Sequence, residues 1–236
     1  MYAYKNKPEL KNMILAEVVG HRKADRIVQG IYGSGDGKEF KGCAVGCSIH
    51  SLNVKLKKNY ELGDHSIYEK ELGIPKELAY LEDALFEEMS VEDSKTWPEE
   101  FLKAIKPGAD LSKVVARYTI WEFEDHKKGL KNIKEVSDDK EVMMWCEEVV
   151  SLYKRELVGD KPTEDEYYRL YIKIDLAGAR AGARAGAWAR AMAWAWAGAW
   201  ARAVARARAR ARAGKKYREE IMVSANKILE LLKSCE

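Results

Sequence analysis

The sequence predicts an all-α protein on three observations. Apolar residues recur at helical spacing from Pro8 onward, proline and glycine stand where helices start and stop, and alanine dominates Ala177 to Ala213. The expected architecture is a multi-helix N-terminal region packed with long Ala-rich C-terminal helices.

Pro8 suits the first turn of a helix, and Leu10, Met13, Ile14, Ala16 and Val18 carry the period on to Ile27 and Val28, predicting a helix over about residues 8–29. Four glycines and an aspartate between Gly30 and Gly37 make a loop. Lys41 to His50 reads as a short helix or turn, followed by a Lys-rich connection to Gly63. Asp64 caps a short helix through Leu72, Gly73 ends it and Pro75 opens the next, whose stripe is Leu78, Leu81, Leu85 and Met89. Thr96-Trp-Pro-Glu99 has capping-box spacing for a further helix through Ile105, which Pro107-Gly108 breaks. Asp110 caps a segment carrying Leu111, Val114, Val115, Tyr118 and Trp121. After a charged connection, Asp138 or Asp139 leads into Val142, Trp145, Cys146, Val149, Tyr153 and Leu157, and Gly159 to Pro162 punctuates before a capped start at Thr163. At the far end, Tyr217, Ile221, Ala225, Ile228 and Leu232 mark an amphipathic helix.

From Ala177 to Ala213 every odd position is alanine, a two-residue period that on pattern alone reads as a strand. A strand of that length would exceed about 100 Å at roughly 3.3 Å per residue, and alanine is the best helix former, so the tract is expected to be helical. On a helix one row, Arg180 to Arg212, has an apolar middle of Trp188, Met192, Trp196, Trp200 and Val204. The other begins with Gly178, Gly182 and Gly186, a groove for close helix approach.

The net charge is +3, but Leu176 to Arg218 holds eight arginines before Gly214, then Lys215, Lys216 and Arg218, and no acid. The rest of the chain is therefore acidic, giving two regions: an acidic helical region 1–160 with a Cys/His-containing loop, and an Ala/Trp/Arg-rich region 161–236, packed as one domain with it or beside it. The acids Glu77, Glu82, Glu87 and Glu88 are candidate counterparts of the arginines. Four scattered cysteines, Cys43, Cys47, Cys146 and Cys235, argue against a disulfide framework. With no apolar secretion segment at the start and no run of about 18 apolar residues, the expected location is cytoplasmic, without a membrane partner.

Several stretches together resemble an uncharacterised family of bacterial and bacteriophage proteins that join a Gly-Cys-Ala-x-Gly-Cys-x-x-His segment to an Ala/Trp/Arg-rich C-terminal tract. The matching stretches are His21 to Gly30, Gly42 to Ser51, Tyr68 to Pro75, Leu81-Glu-Asp83 and Trp97 to Phe101. The resemblance implies a phage or mobile-element origin and a place in the host cytoplasm; it brings no activity with it.

Cys43, Cys47 and His50 stand at i, i+4 and i+7, one face of a helix, and thiolate and imidazole are the ligands zinc prefers. Cys43, Cys47, His50 and His65 are thus candidate metal ligands, with Cys146 a further one, although the spacing is not that of a zinc ribbon. The same four residues are candidate catalytic groups, a cysteine nucleophile with a histidine base oriented by Asp64, Asp25 or Glu69. His21, Asp25 and Gln29, four apart, would line one face of the first helix and form the wall of a ligand site with Cys43, Cys47, His50, His65 and Glu69. Against each stands a plainer reading: packed cysteines, a solvated polar stripe, buried indoles.

The function expected from these features is binding or sequestration of a small anionic or nucleotide-like ligand, or of a host protein. The alternatives are a Cys/His-dependent enzyme and a nucleic-acid-binding protein using the Arg/Trp tract. Close-packing alanine and glycine rows also suit a homo-oligomer.

Overall fold

The computed structural model describes residues 2–132, 134–138, 140–170 and 214–236. The Ala-rich tract, with its expected helical rows and nucleic-acid surface, lies outside the described residues. Within them the protein is all-α, with isolated bridges at Tyr2–Asp110, Ile27–Gly42 and Ser34–Lys41 and no strand. Among the described residues no helix is long and apolar enough to cross a membrane.

The chain divides into two compact units, Met1–Val114 with Lys216–Glu236, and Val115–Lys215. Residue 160, where the sequence suggested a division, lies within the second.

In the first unit, α1 (Pro8–Lys23) lies against α2 (Ala44–Leu56) and α4 (Val91–Ala104), and α3 (Lys76–Glu88) lies against α2 and α4. Ile14 and Val18 of α1, Val45, Ile49 and Leu52 of α2, Leu78, Leu81, Leu85 and Phe86 of α3, and Trp97, Phe101 and Leu102 of α4 are buried between them. Two large side chains of this core pair their polar atoms with main-chain carbonyls: Tyr4 Oη donates to Leu102 O at 2.6 Å and Trp97 Nε1 to Glu82 O at 3.0 Å.

Two helix boundaries differ from expectation for identifiable reasons. The first helix stops at Lys23 instead of running to residue 29, because Asp25 takes a left-handed conformation (φ 53°) and the chain turns to pair with the segment before α2, Val28 N donating to Gly42 O and Gly42 N to Arg26 O. Ile27 is buried through that bridge and not on a helix face. The fourth helix begins at Val91, five residues before the expected Thr96, since Ser90 caps it: Ser90 Oγ accepts from Asp93 N at 3.1 Å. Pro98 therefore sits inside the helix. The short helix after Asp64 ends as a π-helical turn, Tyr68–Leu72, closed by Gly73 at φ 65°.

The second unit holds α5 (Val114–Glu124), a 3-10 turn Leu130–Asn132, α6 (Lys134–Ser137), α7 (Lys140–Leu157) and a helical stretch 164–170 capped by Thr163 and Glu166. Tyr118, Phe123, Trp145, Cys146, Val149, Tyr153, Tyr167 and Leu170 are buried within it. The last helix, α8 (Gly214–Lys233), buries Ile221, Ala225, Ile228 and Leu232 as its period predicts, and its end is tied to the first unit by Asp110 N donating to Glu236 O at 3.0 Å.

Candidate functional site

The segment Gly30–Gly42 folds over the start of α2. Cys43 N donates to Ile31 O, Ser34 and Lys41 exchange backbone hydrogen bonds, and the loop backbone at Tyr32 rests on Gly46 so closely that a Cβ there would fall 1.5 Å from Tyr32 O. Glycine is the one residue that admits this approach. Cys43 is the N-cap of α2, its Sγ accepting from Gly46 N at 3.4 Å.

Helix α3 presents Tyr80, Asp83 and Glu87 at i, i+3 and i+7, a row beside its apolar stripe. His65 stacks on Tyr80, with ring centroids 4.0 Å apart, and meets the edge of Tyr32 at 5.8 Å. Its Nε2 lies 3.0 Å from Asp83 Oδ2 and its Nδ1 2.9 Å from Gly63 O. The carbonyl and the carboxylate that face the two ring nitrogens are both hydrogen-bond acceptors. Glu87 Oε2 accepts from Gly30 N at 2.8 Å. The Cys43 Sγ and one carboxylate oxygen each of Asp83 and Glu87 lie within 4.8 Å of one another, among the described residues the one group of three such atoms so close.

Electrostatics at this cluster favour proton-bearing groups. Burial raises the Cys43 thiol above its ordinary range, with the Asp83 carboxylate adding to the effect and the Gly46 N–H opposing it. Burial, then Asp83, pushes Tyr32 up to about 12. The Glu87 carboxyl is likewise raised by burial, with the Gly30 N–H opposing and Asp83 reinforcing. Asp83 Oδ1 is buried, and the Cys43 thiol is the donor that faces the Asp83 carboxylate.

Deeper still, Ser48, Tyr68 and Glu82 are fully buried. Tyr68 interacts electrostatically with Ser48, Glu82 and Cys43, yet no side-chain oxygen of Ser48, Tyr68 or Glu82 makes a hydrogen bond of ordinary geometry. Burial holds the Glu82 carboxyl well above the usual range, with Tyr68 opposing and Asp83 reinforcing. Glu82, expected as a counterpart of the arginines, is instead core.

The remaining sequence candidates separate from this cluster. Cys47 Sγ points at Gly42 O, 3.3 Å away, and burial lifts its thiol to about 12. His50 stacks on Phe40 at 3.8 Å and meets His21 edge-on at 5.8 Å. Ser51 Oγ donates to Cys47 O and therefore accepts from His21 Nε2, leaving His21 Nδ1 as a buried, unpartnered acceptor. Cys43, Cys47, His50 and His65 thus do not converge as one ligand set, and no hydrogen bond joins either cysteine to a histidine among the described residues.

The expected wall of His21, Asp25 and Gln29 is likewise dispersed, because α1 ends between its first and second members. His21 is inside, Asp25 is exposed and paired with Lys95 at 2.7 Å, and Gln29 Nε2 donates to Phe86 O and Met89 O at the end of α3. Glu69 Oε2 accepts from Lys76 N. Cys146 belongs to the second unit, apart from this set. Asp83, Tyr32 and Tyr80 were not singled out from sequence, and Glu87 only as a counterpart of the arginines; the signal for Tyr80, Asp83 and Glu87 is the polar row at helical spacing on α3. Comparison with protein-family models, with curated proteins and with solved structures gives no match.

Proposed function

We propose that this is a binding protein holding a small ligand at the cluster of Cys43, His65, Asp83 and Glu87, walled by Tyr32 and Tyr80. The observation that carries the reading is the convergence of Cys43 Sγ with one carboxylate oxygen each of Asp83 and Glu87 within 4.8 Å, Asp83 being held by His65. Two carboxyl groups and a thiol favour a cationic or hydrogen-bond-donating guest over the anionic one expected from sequence.

Covalent thiol catalysis is less well supported. A nucleophilic cysteine needs its thiolate stabilised by a neighbouring cation, whereas Cys43 is 1% exposed, lies next to an acid and has its proton held more tightly than usual.

Native mass spectrometry of the intact protein purified from cells, beside Asp83→Asn, tests the reading. We expect the wild-type protein to carry an adduct above its sequence mass and the variant to lose it. Wild-type protein at bare sequence mass, with cell extract giving no thermal stabilisation that Asp83→Asn abolishes, would count against it. Rapid iodoacetamide labelling of Cys43 in the folded protein would restore the enzyme reading.

A further inference from the structure

Each of Cys43, Asp83 and Glu87 is anchored by one protein donor and keeps ligand capacity to spare. Asp83 spends Oδ2 on His65 Nε2, Glu87 spends Oε2 on the Gly30 N–H, and the Cys43 sulfur takes one N–H, from Gly46. The Cys43 sulfur and one carboxylate oxygen from each acid sit within 4.8 Å of one another. Around a tetrahedral zinc ion, with bonds of about 2.0–2.3 Å, such atoms would stand roughly 3.5 Å apart, so small side-chain rotations suffice.

We infer that Cys43, Asp83 and Glu87 together coordinate one divalent transition-metal cation of the zinc type. This rests on the reading of the cluster as a ligand site and names the ligand's class.

Two features select that class. A thiolate ligand favours zinc-like ions over magnesium or calcium, which take all-oxygen sets. His65, buried and bonded to Asp83 on one side and to the Gly63 carbonyl on the other, fixes the carboxylate from behind, as outer-shell partners of metal ligands do. The metal–sulfur bond forms as the Cys43 thiol proton is released to solvent. Tyr68, fully buried, interacts with both Glu82 and Cys43. Three protein ligands leave a fourth position open, and Glu87 is the exposed member through which solvent reaches it.

The test uses the full chain, stripped with a chelator and titrated with Zn²⁺ alone by calorimetry. One equivalent is expected to bind, with affinity falling at least tenfold in Cys43→Ser and in Asp83→Asn and holding within threefold in Cys47→Ala. Equal affinity in all four proteins, or no saturable uptake by the wild type, overturns the inference. Because either variant could unfold, Co²⁺ is added to the wild-type protein as well. A thiolate-to-cobalt charge-transfer band is expected, and saturating Co²⁺ without that band overturns sulfur ligation. An organic adduct lost in Asp83→Asn without Zn²⁺ uptake would sink the metal and leave the binding reading standing; absence of both would sink both.

Discussion

Acidification should destabilise the first unit through His21, by an amount the structure allows to be worked out. The ring is 4% exposed and its Nε2 proton is committed to Ser51, whose own proton goes to Cys47 O. Burial, then the neighbouring His50 and Arg26, lower it from an ordinary 6.5 to about 4, with Glu17 opposing. Since the folded value lies below the unfolded one, the unfolded chain binds more protons between them, and stability is lost as pH falls through that window. The full difference is worth about 3 kcal/mol, of which about 2 kcal/mol is gone by pH 5. Screening beside the half-buried His50 makes these upper bounds. Urea unfolding at pH 7, 6 and 5 of the wild type and of His21→Gln, whose amide can still donate to Ser51, isolates the contribution from other titrating groups. The wild type should lose up to about 2 kcal/mol more than the variant between pH 7 and 5. A stability gap between the two proteins that stays constant within about 0.5 kcal/mol across that range would refute the argument.

Three further outcomes are expected. Gly46→Ala should displace the Tyr32 loop and cost roughly 2–4 kcal/mol by denaturant unfolding, because the new methyl would meet main-chain oxygen that cannot rotate away. Glu82→Gln should raise stability at neutral pH: the native acid keeps its proton above the pH at which the unfolded chain gives it up, so the wild type loses stability as pH rises above the ordinary carboxyl range, and the variant should show a flatter dependence in the same titration. Ser90→Ala should cost about 1 kcal/mol through the lost cap of α4, read as a lower midpoint of thermal unfolding with unchanged helical content below it.

Elements with local punctuation were legible from sequence. Pro8, Pro75, Gly73 and the period of α8 mark what the structure contains, because a proline in a first turn or a glycine at positive φ acts within its own few residues. The end of α1 was not legible. Ile27 and Val28 continue the helical period, and burial by a bridge to Gly42 places an apolar residue there as well as a helix would. The start of α4 was hidden by a decoy, since Thr96 and Glu99 have box spacing inside the helix while the working cap is Ser90 with Asp93. For the site, Cys43 and His65 were legible as chemistry. Their meeting point was not, because Asp83 reaches both only once α2 and α3 are packed and the loop from Gly30 is folded over them. Helical spacing predicted a partnership among Cys43, Cys47 and His50, and capping at Cys43 broke it by placing that residue at the helix end.

The first unit is interrupted in the chain: Lys216–Glu236 belongs with Met1–Val114, and the whole of Val115–Lys215 comes between them. During synthesis on the ribosome, the N-terminal helices therefore emerge long before the segment that completes their fold. Until residues 216–236 leave the exit tunnel, Ile221, Ile228 and Leu232 cannot take their buried places, and apolar surface exposed in such a partly formed species is what favours aggregation.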